Sequence, residues 1–221
     1  ADRSLETLAV PGLRDARVTP DGKCLLLMLP AGRVALRDLS NGTTRWTSEP
    51  VESVAQFMEN TISGFSDDGR YAVTQHDSSF VLWNVTDGLA LHVFTVPETG
   101  WGLSSASFSP DGSRLAISGR SGHVGVWEVE SGLAVHDEVV KVPFSVGCDF
   151  SPDGRLLAVS SPEGVRLLDA RSFETVRELR PPIRPHQDWA YVRFTRDNSR
   201  VVASCGTFLA AMDPEEIRPT V

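Results

Sequence analysis

The sequence predicts an all-β chain built from one four-stranded unit written five times. Three observations predict it. A turn of the Ser/Thr-Pro-Asp-Gly type recurs at 19–22, 66–69, 109–112, 151–154 and 195–198, placing its acid at Asp21, Asp68, Asp111, Asp153 and Asp197, at spacings of 47, 43, 42 and 44 residues. A second turn, Asn41-Gly42, Asp87-Gly88 and Ser131-Gly132, follows the first at 20, 19 and 20 residues, glycine to glycine. Between the turns lie short apolar runs rich in Val, Leu and aromatic residues, and no stretch reads as a helix of normal length.

Each turn residue has a physical reason. Proline presets φ for the second position of a type I turn, Asp bonds to nearby backbone, and Gly takes positive φ without steric cost. Asn198 replaces Gly in the last copy, and Asn tolerates the left-handed region best among the other residues. The second turn reads as a two-residue hairpin signal. In the fourth repeat Arg171-Ser172-Phe173 takes that slot without glycine.

The elements follow in order, with the strands of each repeat lettered a to d. Residues 4–10 read as a lone d strand with no partner before it. Repeat one has a at 14–18, b at 24–29, c at 34–38 and d at 43–47. Repeat two has 61–65, 71–74, 80–85 and 89–93. Repeat three has 103–108, 115–118, 124–129 and 134–139. Repeat four has 146–150, 156–160, 165–169 and 175–179. Repeat five has a at 190–194, b at 201–204 and c at 207–212, with no convincing d after Pro214. The acidic stretch 49–59 is the least strand-like part and could hold a turn of helix.

A four-stranded meander cannot bury both faces alone, so repeated meanders must stack, and radial stacking gives a β-propeller. The period suits one blade per repeat. Residues 108–112 and 150–154 (FSPDG), 81–84 (VLWN) and 124–128 (VGVWE) resemble WD40 repeats, and the resemblance runs over essentially the whole chain. It implies a single WD40-like propeller domain over residues 1–221. The repeats are degenerate. The Trp-Asp slots hold Arg37-Asp38, Trp83-Asn84, Trp127-Glu128, Leu168-Asp169 and Met212-Asp213, and the Gly-His pair of the family is missing. A lone opening d strand could complete the last repeat and close a five-bladed ring. A whole-number fragment of a larger ring has the same pattern, and both alternatives stand.

Composition narrows the function. The net charge is −8, and no cluster of Lys and Arg offers a nucleic acid the cationic surface it needs. No apolar run approaches the length of a membrane span. Cys24, Cys148 and Cys205 are odd in number and lie in apolar runs, so buried thiols in a reducing, cytoplasmic setting are expected. No signal peptide is visible, and the start at Ala1 is compatible with processing or excision.

A meander sorts its connections onto two rims. The a–b and c–d turns share one rim and are stereotyped. The b–c and d–a loops share the other, and the variable segments 48–60, 97–102, 141–145 and 180–189 lie there, where binding residues are usually carried. The candidate partner-binding residues are Phe57, Met58, Glu59, Trp101, Phe144, Ile183, Arg184, His186, Asp188 and Trp189. Chemistry is weakly signalled. His76, His92, His123, His136 and His186 show no metal-ligand spacing, and no nucleophile elbow or phosphate loop is present. The turn Asp residues are expected to bond their own turns. Asp15 and Asp149 are the only acids on a strands, a poor basis for the paired carboxylates of a glycosidase. The expectation is therefore a non-catalytic scaffold without metal or cofactor that binds a protein or peptide. The alternatives are a sensor or autoinhibitory module within a larger signalling NTPase or kinase, whose partner would be other domains of its parent chain, and, remotely, a propeller hydrolase.

Overall fold

The computed structural model describes residues 10–51, 60–76, 79–95, 105–119, 122–139, 147–161, 164–180, 191–205 and 208–214. Blade 1 consists of β1 (Asp15–Val18), β2 (Cys24–Met28), β3 (Val34–Asp38) and β4 (Thr44–Thr47). Blade 2 consists of β5 (Asn60–Phe65), β6 (Tyr71–His76), β7 (Ser79–Asn84) and β8 (Ala90–Thr95). Blade 3 has β9 (Ser105–Phe108), β10 (Arg114–Ser118), β11 (His123–Glu128) and β12 (Ala134–Val139). Blade 4 has β13 (Cys148–Phe150), β14 (Leu156–Ser161), β15 (Gly164–Asp169) and β16 (Thr175–Leu179). Blade 5 contributes β17 (Tyr191–Phe194), β18 (Val201–Cys205) and β19 (Phe208–Met212). Every sheet is an antiparallel meander in chain order.

The first strands of successive blades lie side by side, β1 on β5, β5 on β9, β9 on β13 and β13 on β17. They form the inner wall of an arc. The core is divided among the gaps between blades. Leu26, Met28 and Leu36 of blade 1 pack on Ile62, Val81 and Trp83 of blade 2. Phe80, Leu82 and Phe94 then meet Leu115, Ile117 and Trp127. Val124 and Val126 meet Phe150, Leu157 and Val159, and Val165 and Leu167 meet Val192, Val201 and Ala203. Strand side chains alternate between faces, so the central strands serve two gaps at once: Val81 faces back and Leu82 faces forward. This is why their sequences read as continuous apolar runs.

No strand pairing joins the fifth blade to the first among the described residues. Among the described residues the five sheets are five blades of an open arc. Residues 4–9 of the expected lone d strand, and residues 52–59 of the stretch given a possible helical turn, lie outside the described residues. The sequence reading passed over a short 3-10 turn at Pro30–Gly32 in the first b–c loop.

The second turn is longer than its two-residue signal suggests. The N–H of Gly42, Gly88 and Gly132 donates to the C=O of Asp38, Asn84 and Glu128, four residues earlier. Phe173 does the same to Asp169. The closing residue is left-handed in all four, with φ of 71°, 75°, 68° and 60°. The extra residue is absorbed by a register slip at the same place in each c–d pair, at Leu36/Arg37, Leu82/Trp83, Val126/Trp127 and Leu167/Leu168. A bulge of this kind is the usual companion of a left-handed turn residue.

Candidate functional site

The a–b turn rim consumes its own polar groups. In each of the five turns the Ser or Thr hydroxyl donates to the turn Asp, at 2.6 Å for Thr19, Ser109, Ser151 and Thr195 and 2.7 Å for Ser66. The same oxygen accepts the N–H five residues on, from Cys24, Tyr71, Arg114, Leu156 and Arg200. The Asp accepts a further N–H from Lys23, Arg70, Ser113, Arg155 and Ser199. The Thr195 hydroxyl, aided by Ser199, holds the Asp197 carboxyl down at about 2. The turn carboxylates are structural, as their position in the turn predicts.

Inside the rim the inner strands surround a cavity of about 690 Å³. Its mouth is set by the residue after each turn hydroxyl, Pro20, Asp67, Pro110, Pro152 and Arg196. Deeper lie Gly64, Ser107, Asp149 and Arg193. These polar groups tie neighbouring inner strands together. Asp149 accepts the Phe194 N–H at 2.8 Å and the Ser107 hydroxyl at 3.0 Å, and Ser107 accepts the Phe150 N–H at 3.2 Å. Arg193 donates to the Cys148 C=O at 3.0 Å. Burial pushes the Asp149 carboxyl above the ordinary range, against the pull of Arg193 and its donors. At the far side of the arc Asp15 accepts the Ile62 N–H at 2.8 Å. The two a-strand acids thus do the same job in blades 1 and 4. Each spans the gap to the next inner strand, and only Asp149 is among the residues lining the cavity.

The outer rim carries a periodic latch that sequence reasoning missed. Trp46 donates from its indole N–H to the Val85 C=O at 3.0 Å, and its ring covers Gly88, where a Cβ would stand 2.5 Å from it. His92 sits over Gly132 in the same way and lies 3.2 Å from the Glu130 C=O. His136 stacks on Phe173 with ring centroids 4.5 Å apart, and Arg177 donates to the Pro214 C=O. Each latch residue stands four places after the left-handed residue of its own blade and grips the segment that follows the c strand of the next. That constant offset was legible; the change of residue type from Trp through His to Arg disguises it.

In the gap between blades 1 and 2 the Trp83 indole N–H donates to Thr74 Oγ1 at 2.8 Å, and Thr74 Oγ1 lies 2.8 Å from His76 Nε2. An indole N–H only donates, so Thr74 accepts it, and the Thr74–His76 bond takes its direction from the histidine tautomer. His76 Nδ1 meets no partner among the described residues. Burial lowers the His76 pKa to about 4.

The ten predicted binding residues, Phe57, Met58, Glu59, Trp101, Phe144, Ile183, Arg184, His186, Asp188 and Trp189, lie outside the described residues. Of the cysteines, Cys24 and Cys148 are free and buried, and burial pushes the Cys148 thiol up to about 11. The Cys205 side chain lies outside the described residues. Among the described residues no cluster of His, Cys, Asp and Glu could hold a metal, and no helix is long and apolar enough to cross a membrane.

Four-stranded meanders stacked radially, with their a strands inward, define a β-propeller. Among solved structures the chain is similar to the β-propeller domain of Cps50 (Swd1) from Myceliophteria thermophila, with a TM-score of 0.69 and 14% identity, covering 90% of this chain and 64% of that one. Residues 89–128 match the family described as WD domain, G-beta repeat. An uncharacterised WD repeat-containing protein of Synechocystis is 27% identical over 139 residues, which is 62% of this chain and 38% of that protein. A Drosophila melanogaster LST8 homolog is 30% identical over 116 residues, 49% of this chain and 36% of its own length. The chain thus spans little more than a third of these two curated relatives. Its fold is that of a β-propeller, and its repeats are similar to WD40 repeats.

Proposed function

We propose that this propeller is a non-catalytic platform that binds a protein or peptide segment on the rim of its d–a and b–c loops. WD40 propellers typically act as protein-interaction scaffolds. The observation that carries the choice of rim is the closed bonding of the opposite one. Five copies of the same hydroxyl–carboxylate–amide pattern leave the a–b turns chemically alike, so they offer little by which to select a partner. The variable loops supply aromatic and charged residues in the composition that interface hot spots favour. A scaffold also fits the engagement of Asp15 and Asp149 with backbone amides, since a general acid or base must be free to reach a substrate.

The test is quantitative affinity capture with the full chain. Proteins recovered by the wild type should fall about tenfold with Trp101→Ala plus Trp189→Ala, a loss of about 1.4 kcal/mol. They should persist with Asp111→Asn on the turn rim. Equal recovery by the double variant would overturn the loop-rim assignment.

A further inference from the structure

The outer strands form an internal control series. Each of β4, β8, β12 and β16 ends its sheet, so one backbone edge has no strand beside it among the described residues. An open edge invites another strand unless charges or pairing discourage it. At the first, third and fifth positions after the left-handed turn residue, blade 1 has Thr43, Arg45 and Thr47, and blade 4 has Glu174, Val176 and Glu178. Both edges carry ion pairs: Arg45 with Asp38 at 2.6 Å, and Glu178 with Arg166 at 3.2 Å and Arg180 at 3.0 Å. Blade 3 is intermediate, with Leu133 and Val135 before Asp137. Blade 2 has Leu89, Leu91 and Val93, which are 60%, 37% and 39% exposed, and no charged residue from 89 to 96.

The register fixes the direction of these side chains. Phe94 pairs with Phe80 and His92 with Leu82, and that face packs on blade 3. Val93 pairs with Val81, which belongs to the gap with blade 1. Alternation puts Leu91 and Val93 on one exposed face beside an unpaired backbone edge. The position of Leu91 is Arg45 in blade 1 and an exposed Val176 in blade 4, and that of Val93 is Thr47 and Glu178, so only blade 2 is aliphatic at all three positions.

We propose that β8 is a strand-addition site that takes an extended segment of a partner protein as a fifth strand of blade 2. The segment is aliphatic or β-branched at alternate positions and uncharged along its centre. Backbone hydrogen bonds would hold it, and Leu91 and Val93 would select its side chains. A second copy of this chain fits less well. It would bring its own net charge of −8 against the same charge, and two short strands bury far less than the roughly 1,200 Å² that specific contacts between folded bodies need.

The probe is a short fluorescent peptide of alternating Thr and Val, followed by anisotropy with the full chain. Saturable binding is expected, weakened about tenfold or more by Leu91→Lys plus Val93→Lys. It is expected to be abolished when alternate peptide amides are N-methylated, which needs no protein variant. Val176→Lys in blade 4 should leave it unchanged, and Trp101→Ala plus Trp189→Ala should also leave it unchanged, so this surface and the loop rim succeed or fail separately. Absence of binding, equal binding by the lysine variant, or equal binding of the N-methylated peptide would overturn the proposal. So would a concentration-dependent dimer that the lysine pair abolishes, since the occupant would then be a second copy.

Discussion

Trp83 and Trp127 occupy the same place in successive blades, yet they are buried by different means. Both face the preceding blade, Trp83 among blade 1 residues and Trp127 among blade 2 residues. Across from the position two residues before each indole stands Thr74 in blade 2 and Ile117 in blade 3. Blade 2 therefore gives its indole a hydrogen-bond chain through Thr74 to His76. Blade 3 has no hydroxyl there, and the Trp127 ring folds over Gly125 instead, so closely that a Cβ at Gly125 would stand 2.1 Å from it. It rests against Phe94 with centroids 5.1 Å apart. The repeat therefore fixes backbone and facing direction, while each gap finds its own way to bury an indole.

The largest way to break this comparison is pH. The neutral form of His76 is favoured because its folded value, about 4, lies below the ordinary 6.5. The stability it contributes is complete above pH 6.5 and is lost as pH falls through 4, with a total of about 3 kcal/mol. Asp149 runs the other way: its raised carboxyl favours the folded state at low pH, and that contribution is lost as pH rises through its folded value. The difference between wild type and His76→Gln in denaturant titrations isolates the histidine, and the variant should have the flatter profile between pH 6.5 and 4. A substitution in blade 3 comes next. Gly125→Ala forces the Trp127 ring to move and should cost about 2–3 kcal/mol, read as a lower denaturation midpoint. In blade 2, Thr74→Val removes the hydroxyl and strands the buried Trp83 N–H, at about 2 kcal/mol by the same measurement. The smallest effect belongs to the turns. Ser109→Ala takes one shared hydroxyl from one turn and should cost about 1 kcal/mol, with the equivalent change at Ser151 matching it because the bonding is the same.

The fold was legible because its turns are. Asp and Gly or Asn at fixed spacing set strand order, and the apolar runs between them mark the strands. The length of the c–d turn was not legible from Asn-Gly or Asp-Gly alone. The residue that starts it accepts the closing N–H through its backbone, which any residue type could do, although the side chains of Asp38, Asn84 and Asp169 also accept the N–H two residues on. The latch of Trp46, His92, His136 and Arg177 escaped because one geometric role is filled by three side-chain chemistries. The Trp83 chain escaped because its histidine sits two residues after Thr74 on the same strand, not in the Gly-His slot where the family pattern directs attention. The loop residues from Phe57 to Trp189 rest on composition and rim alone, and they lie outside the described residues.

The central claim is that each blade is stable because its neighbour covers it. Hydrogen exchange of the Gly125→Ala variant tests it most directly. The change lies in blade 3, but the Trp127 it displaces packs on blade 2, so protection should fall in β6 and β7 as well as in β10 and β11, while β14 and β15 change less. A loss confined to β10 and β11, with β6 and β7 as slow as in the wild type, would contradict the account.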